Sequence, residues 1–159
     1  MGNNKIATKS TTKPVDDVRD TGRSLPIVLL RAREIVMARF RPILADYDIT
    51  EQQWRVLRVL HESGTLDAKE LANQACVLSP SLTRIVKTLS ERKLISRRKD
   101  KGDGRKLFLQ IAPAGLVVIE KVTPDARRIY KEIDERYGVA EMNELLDMLE
   151  KLAALDTAK

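Results

Sequence analysis

Cysteine is almost missing from this sequence: Cys76 is the single one in 159 residues. That excludes an intrachain disulfide and a zinc site built from cysteines. Histidine is equally scarce, with His61 alone. Neither a glycine-rich phosphate loop nor a nucleophile motif is present, so hydrolase and oxidoreductase chemistry lacks its parts. Aromatic residues are only 4% of the chain. No apolar run approaches the roughly 18 residues of a membrane span, and no signal-like apolar segment stands near the N-terminus. These shortages lead to the expectation of a cytoplasmic, non-enzymatic protein, with no cofactor, no metal and no membrane partner.

Charge is abundant, and its distribution is informative. Residues 1–64 hold 11 basic and 8 acidic side chains, residues 65–111 hold 11 and 5, and residues 112–159 hold 7 and 10. The segment nets are +3, +6 and −3 within a formal total of +6. The middle of the chain is therefore the cationic part, and a polyanion is the economical partner for it.

That middle part contains the stretch around which the rest is organised, Leu78 to Ile111. Ser79 is a candidate N-cap, with Pro80 at the first helical position, where a missing N–H costs nothing. Leu82, Ile85, Val86 and Leu89 recur at helical spacing and predict one buried face. Ser81, Thr83, Arg84 and Lys87 fall opposite, all hydrogen-bond donors. Next come two predicted strands, with Ile95 in the first and Leu107, Leu109 and Ile111 in the second. Lys101-Gly102-Asp103-Gly104 makes the turn. Arg97, Arg98, Lys99, Lys101 and Arg105 crowd this hairpin, with Lys106 beside them. A donor-bearing helix before a basic hairpin suits a winged helix-turn-helix, with the helix in a major groove and the hairpin on flanking DNA.

The flanking segments predict helices. Residues 1–22 are polar and aperiodic and read as a disordered tail. Ser24 to Tyr47 carries a broad apolar stripe, with Pro42 late in it. Thr50 caps a second helix with Gln53 at the capping-box position, and Gly64 stops it. Asp67 starts a third helix with Glu70 as its reciprocal partner. After the hairpin, a helix from Ala112 runs through Pro124, where a kink is expected, to Gly138. A last helix spans Val139 to Leu155. The terminal helices carry more apolar surface than one chain can hide, which predicts a symmetric homodimer. The expected architecture is mainly α with a small β wing. Residues 49–111 form the DNA-binding winged helix-turn-helix, and residues 23–48 with 112–159 form an intertwined helical dimerisation region.

The order helix, helix, helix, recognition helix, wing, helix, helix resembles the MarR family of bacterial transcriptional regulators. LSPSLTRIVKTLSERKLISR and Asp103-Gly104-Arg105, matching the family's D-x-R wing motif, carry the likeness. The segments FRPILADYDITEQQWRVLRVL and ACVLSPSLTR look more narrowly like repressors of homoprotocatechuate (4-hydroxyphenylacetate) degradation operons. The resemblance implies a homodimer that represses an aromatic-acid catabolic operon at a pseudo-palindromic operator until an aromatic carboxylate binds. The tail before the first helix departs from the family pattern. A regulator with another effector, a redox-sensing regulator and a sequence-indifferent architectural winged helix stand as alternatives.

Candidate residues follow. Ser81, Thr83 and Arg84 are expected at base edges, with Lys87 on phosphate or base and Ser79 at the helix start. Arg105 is the minor-groove candidate, held by Asp103 through a carboxylate–guanidinium pair. Arg97, Arg98 and Lys106 suit phosphate. For the effector, the resemblance implicates arginines of the first long helix: Arg33, then Arg39, with Trp54 and His61 on the next helix. The plainer reading of Arg33 is an ion pair, for instance with Glu34, and the two readings weigh evenly. A packed core role is the favoured reading of Trp54, and His61 can simply face the helix dipole. Cys76 is expected to be a buried, inert thiol rather than a redox sensor.

Overall fold

The computed structural model describes residues 21–99 and 106–157. The chain divides into two compact units, residues 1–37 and residues 38–159. In the first, a 3-10 turn at Thr21–Arg23 precedes helix α1, Leu25–Ala45, whose end from Ala38 onward belongs to the other unit. The Ser24 carbonyl accepts from Val28 N at 2.9 Å, so the helical bonds begin where the sequence placed the start. Leu25, Val28, Leu29, Leu30 and Ile35 are all exposed.

The second unit holds everything after Met37. It contains helices α2 (Glu51–Ser63), α3 (Ala68–Gln74), α4 (Ser79–Glu91), α5 (Pro113–Tyr137) and α6 (Val139–Ala153) and a small antiparallel sheet. Its strands are β1 (Leu66–Asp67), β2 (Ile95–Lys99) and β3 (Leu107–Ile111), in the order β1-β3-β2. The β2–β3 hairpin is the predicted one, in a register that pairs Ile95 with Ile111 and Lys99 with Leu107. Strand β1 was not expected. It is two residues long, too short for any alternation to register, and Leu66 pairs with Leu109 while Asp67 also caps α3.

Both predicted capping boxes form. Gln53 N reaches Thr50 Oγ1 at 3.2 Å, and Thr50 N reaches Gln53 Oε1 at 3.0 Å. Asp67 Oδ1 accepts from Lys69 N and Glu70 N, and Glu70 reaches back to Asp67 N at 3.2 Å. Each satisfies helix-start N–H groups that have no partner inside the helix. One start is corrected by a residue. Ser79 is not the N-cap of α4: Leu78 is, with no side-chain cap bond, and Ser79 is already helical. With Pro80 supplying no N–H in this first turn, one fewer donor is left for a capping hydroxyl.

Three helices stop on left-handed residues that are not glycine: Asp48 (φ 54°), Cys76 (φ 49°) and Lys93 (φ 57°). In each, paired bonds run back to the preceding helix, as in Val77 N to Ala72 O (2.9 Å) and Cys76 N to Asn73 O (3.1 Å). This is the Schellman pattern, and its characteristic apolar follower is present every time, as buried Ile49, Val77 and Leu94. Burying that follower offsets the cost of the left-handed backbone, about 1–2 kcal/mol without glycine. Arg92 then ties the end of α4 to the α1–α2 corner, donating to Tyr47 O at 2.9 Å and Asp48 O at 2.5 Å.

The core of this unit is mainly aliphatic, with Phe40 and Trp54 as its buried aromatic residues. Leu57, Leu60, Leu71, Leu89 and Leu109 are fully buried, and each contributes about 1.5–3 kcal/mol by leaving water. The Phe40 and Tyr130 rings meet at 5.3 Å between centroids. Helix α6 buries none of its residues, and Leu146, Met148 and Leu152 are exposed. The expected turn, Lys101 to Gly104, and residues 1–20 of the expected tail lie outside the described residues.

Candidate nucleic-acid interface

The candidate reading face is built on α4. Leu82, Ile85, Val86 and Leu89 are all buried, as their spacing predicts. Burying that stripe turns the opposite side outward. Thr83, Arg84 and Lys87 are exposed and Ser81 is half-buried. The Thr83 hydroxyl donates to the Ser79 carbonyl at 3.2 Å, which leaves its oxygen free to accept. Lys87 Nζ stands 4.0 Å from Glu91 Oε1 with both side chains well exposed, a loose pair that a phosphate can displace. Among the described residues, the Arg84 guanidinium has no bonded partner, so its fork of donors is available.

Helix α3 packs beneath α4, held by buried Leu71, Ala72, Ala75 and Val77. The turn between them differs from expectation at Cys76. The thiol is exposed, not buried, because the residue occupies the left-handed stop of α3 and the chain turns inward only at Val77.

The hairpin supplies the second cationic element. Arg97, Arg98, Lys99 and Lys106 are all exposed. Arg98 pairs across the strands with Phe108, and its guanidinium carbon lies 5.6 Å from the Phe108 ring centroid. This cation–π contact holds a charge on the outer face of the sheet at little entropic cost. Asp103 and Arg105 lie outside the described residues.

The residues suggested for an effector are divided between the two units. Arg33, in the first unit, bonds Glu34 at 2.9 Å, which is the plainer of its two readings. Arg39 is half-buried and His61 is exposed. Trp54 is 8% exposed and belongs to the core. The cation beside it is Arg58, whose guanidinium carbon lies 6.0 Å from the ring centroid and which also pairs with Glu62. The sequence did carry a signal for Arg58, which follows Trp54 by one helical turn. Tyr130, against Phe40, carried none, since the two are far apart in the chain. Tyr130 also lines an open depression of about 470 Å³ with Arg127, Lys131, Asp134, Glu135 and Val139. Among the described residues no group of His, Cys, Asp and Glu could hold a metal ion, and no helix is long and apolar enough to cross a membrane.

Two packed helices whose second presents hydroxyls and cations, followed by a basic antiparallel hairpin, define a winged helix-turn-helix transcriptional regulator. Residues 49–107 match the MarR family. The chain is 42% identical to the HTH-type transcriptional regulator FarR of Neisseria gonorrhoeae, over 85% of this chain and 92% of that one. It is 37% identical to the homoprotocatechuate degradative operon repressor of Escherichia coli, over 86% and 92%. The crystal structure of NadR in complex with 4-hydroxyphenylacetate superposes with a TM-score of 0.75 at 43% identity, covering 83% of this chain and 94% of NadR. The chain belongs to the MarR family.

Proposed function

We propose that this protein is a homodimeric repressor that holds a pseudo-palindromic operator and releases it when a small aromatic carboxylate binds. The observation that carries the reading is its 43% identity to NadR, whose structure contains 4-hydroxyphenylacetate. The similarity to a homoprotocatechuate operon repressor points to the same ligand chemistry. The α4 face and the hairpin supply DNA contacts: Ser79, Ser81, Thr83 and Arg84 in the major groove, Lys87, Arg97, Arg98 and Lys106 on phosphate, and Arg105, steadied by Asp103, in the minor groove. Residues 49–111 are the reader, residues 23–48 and 112–159 the dimerisation region, and the protein acts in the cytoplasm.

An aromatic carboxylate needs a cation beside an apolar wall. Arg33 remains a proposed cation, with Arg39 and His61 as further polar groups, and Arg58 joins them because it already lies against Trp54. The mechanism is linkage: ligand favours a dimer whose recognition helices no longer match successive major grooves. A preference of about 1.4 kcal/mol for that state lowers operator occupancy tenfold.

The test is a titration of 4-hydroxyphenylacetate and its 3,4-dihydroxy analogue against protein bound to a duplex it selects from a random library. Wild type is expected to release the DNA. Whichever of Arg33→Ala and Arg58→Ala holds DNA but ignores ligand identifies the principal cation. No response of wild type at millimolar ligand would overturn the aromatic-acid reading and leave DNA binding standing.

A further inference from the structure

We propose that Leu78 reads a thymine methyl group in the major groove, as a specificity-determining residue of the DNA-reading face. The inference rests on the operator-reading function proposed above. Leu78 is 78% exposed, although it sits in the turn that joins the two reader helices. Its neighbour Val77 is 7% exposed and anchored in the core. The backbone on both sides is pinned: Val77 N donates to Ala72 O at 2.9 Å, and the Leu78 carbonyl accepts from Leu82 N at 2.9 Å. With φ −65° and ψ 141°, Leu78 is the extended residue that opens α4. Its side chain is thus a leucine held on a pinned backbone with most of its surface exposed.

Such a leucine adds little to folding, because burial is where an aliphatic side chain contributes stability. Its place gives it another use. In helix-turn-helix proteins the N-terminal end of the second helix meets the base edges. There the thymine C5-methyl is the apolar group on the groove floor, and an apolar side chain is what recognises it. The surroundings suit DNA better than another protein. Thr83, Arg84 and Lys87 share the exposed side of α4, and exposed Arg97 and Arg98 follow on β2. Leu78 opens the helix that carries these hydroxyls and cations, and the thymine methyl stands among the acceptors of the groove floor.

The experiment uses a duplex that wild-type protein selects from a random-sequence library. Each thymine is replaced in turn by deoxyuridine, which lacks only the methyl group, and affinity is read by fluorescence anisotropy. At one or more thymines in each half-site, wild type is expected to lose about fourfold, the factor for one methylene-sized apolar contact. Leu78→Ala is expected to bind the thymine and deoxyuridine duplexes alike at those positions. Leu78→Met is expected to keep most of the discrimination. Affinity for unrelated DNA and the thermal midpoint should not change in either variant, since phosphate contacts and the core are untouched. If wild type selects a sequence but Leu78→Ala keeps every deoxyuridine penalty, the Leu78 contact is overturned. If wild type selects no sequence, the operator-reading function falls, and the Leu78 contact with it.

Discussion

The proposed DNA contacts use arginine in two ways, and the two are expected to respond differently to substitution. Arg84, exposed on α4, suits bidentate pairing with guanine. Arg105, two residues after Asp103, suits a narrow A·T-rich minor groove with its concentrated negative potential. Arg105→Ala is expected to weaken operator binding by on the order of 1–3 kcal/mol per half-site. The loss should be larger when the base pairs beneath the wing are A·T than when they are G·C. Anisotropy with both kinds of flank checks this, and unchanged affinity at moderate salt would remove the minor-groove role. Single residues were where pattern reading was weakest. Helical spacing correctly turned Arg84 outward, yet it could not tell that Cys76 is exposed. That depends on a left-handed stop at a non-glycine residue, which only the buried follower Val77 makes worthwhile.

Elements were legible where their own ends declared them. The Thr50 and Asp67 capping boxes both formed, because such a box involves only residues three apart in the chain. Glycine plays two roles that sequence alone does not separate. Gly64 and Gly138 end helices at positive φ. Gly115 lies inside the first turn of α5, where a Cβ would stand 2.2 Å from the Leu94 carbonyl oxygen and 2.8 Å from Ile111 Cγ1. The same carbonyl accepts from Ala112 N at 3.0 Å, so α5 is seated directly on the start of the wing. Alanine is normally the better helix former by about 1 kcal/mol. Gly115→Ala is expected to destabilise instead, by about 1–3 kcal/mol, because the backbone it meets must shift. Thermal or urea unfolding decides this, and a stabilised variant would show that the contact yields easily.

The whole molecule shows its largest mismatch at the terminal helices. Helix α6 buries none of its residues, and Val139, Leu146, Met148, Leu152 and Leu155 are exposed, as are Tyr130 and Tyr137 on α5. Apolar surface of this extent is rare on a soluble monomer. A second copy is the occupant the proposed function requires, since two recognition helices must reach successive major grooves. Sedimentation at micromolar concentration is expected to give a dimer, and Leu146→Lys with Leu152→Lys to weaken it. A stable, folded wild-type species of 18.0 kDa would overturn this.

By itself the sequence determined which elements form and which way most of them face. Those properties rest on short-range chemistry: caps three residues apart, apolar repeats of one helical turn, and a cationic run around a turn. It also set residues 65–111 apart as the cationic stretch, because the excess positive charge is contiguous along the chain. Only the tertiary structure decided what depends on residues distant in sequence. Strand β1 exists because β3 pairs with it, and Phe40 meets Tyr130 across the fold. The exposure of Leu78 belongs to the same class. Spacing alone does not say which of the adjacent apolar residues Val77 and Leu78 is buried, and packing seats Val77 inside and leaves Leu78 facing out.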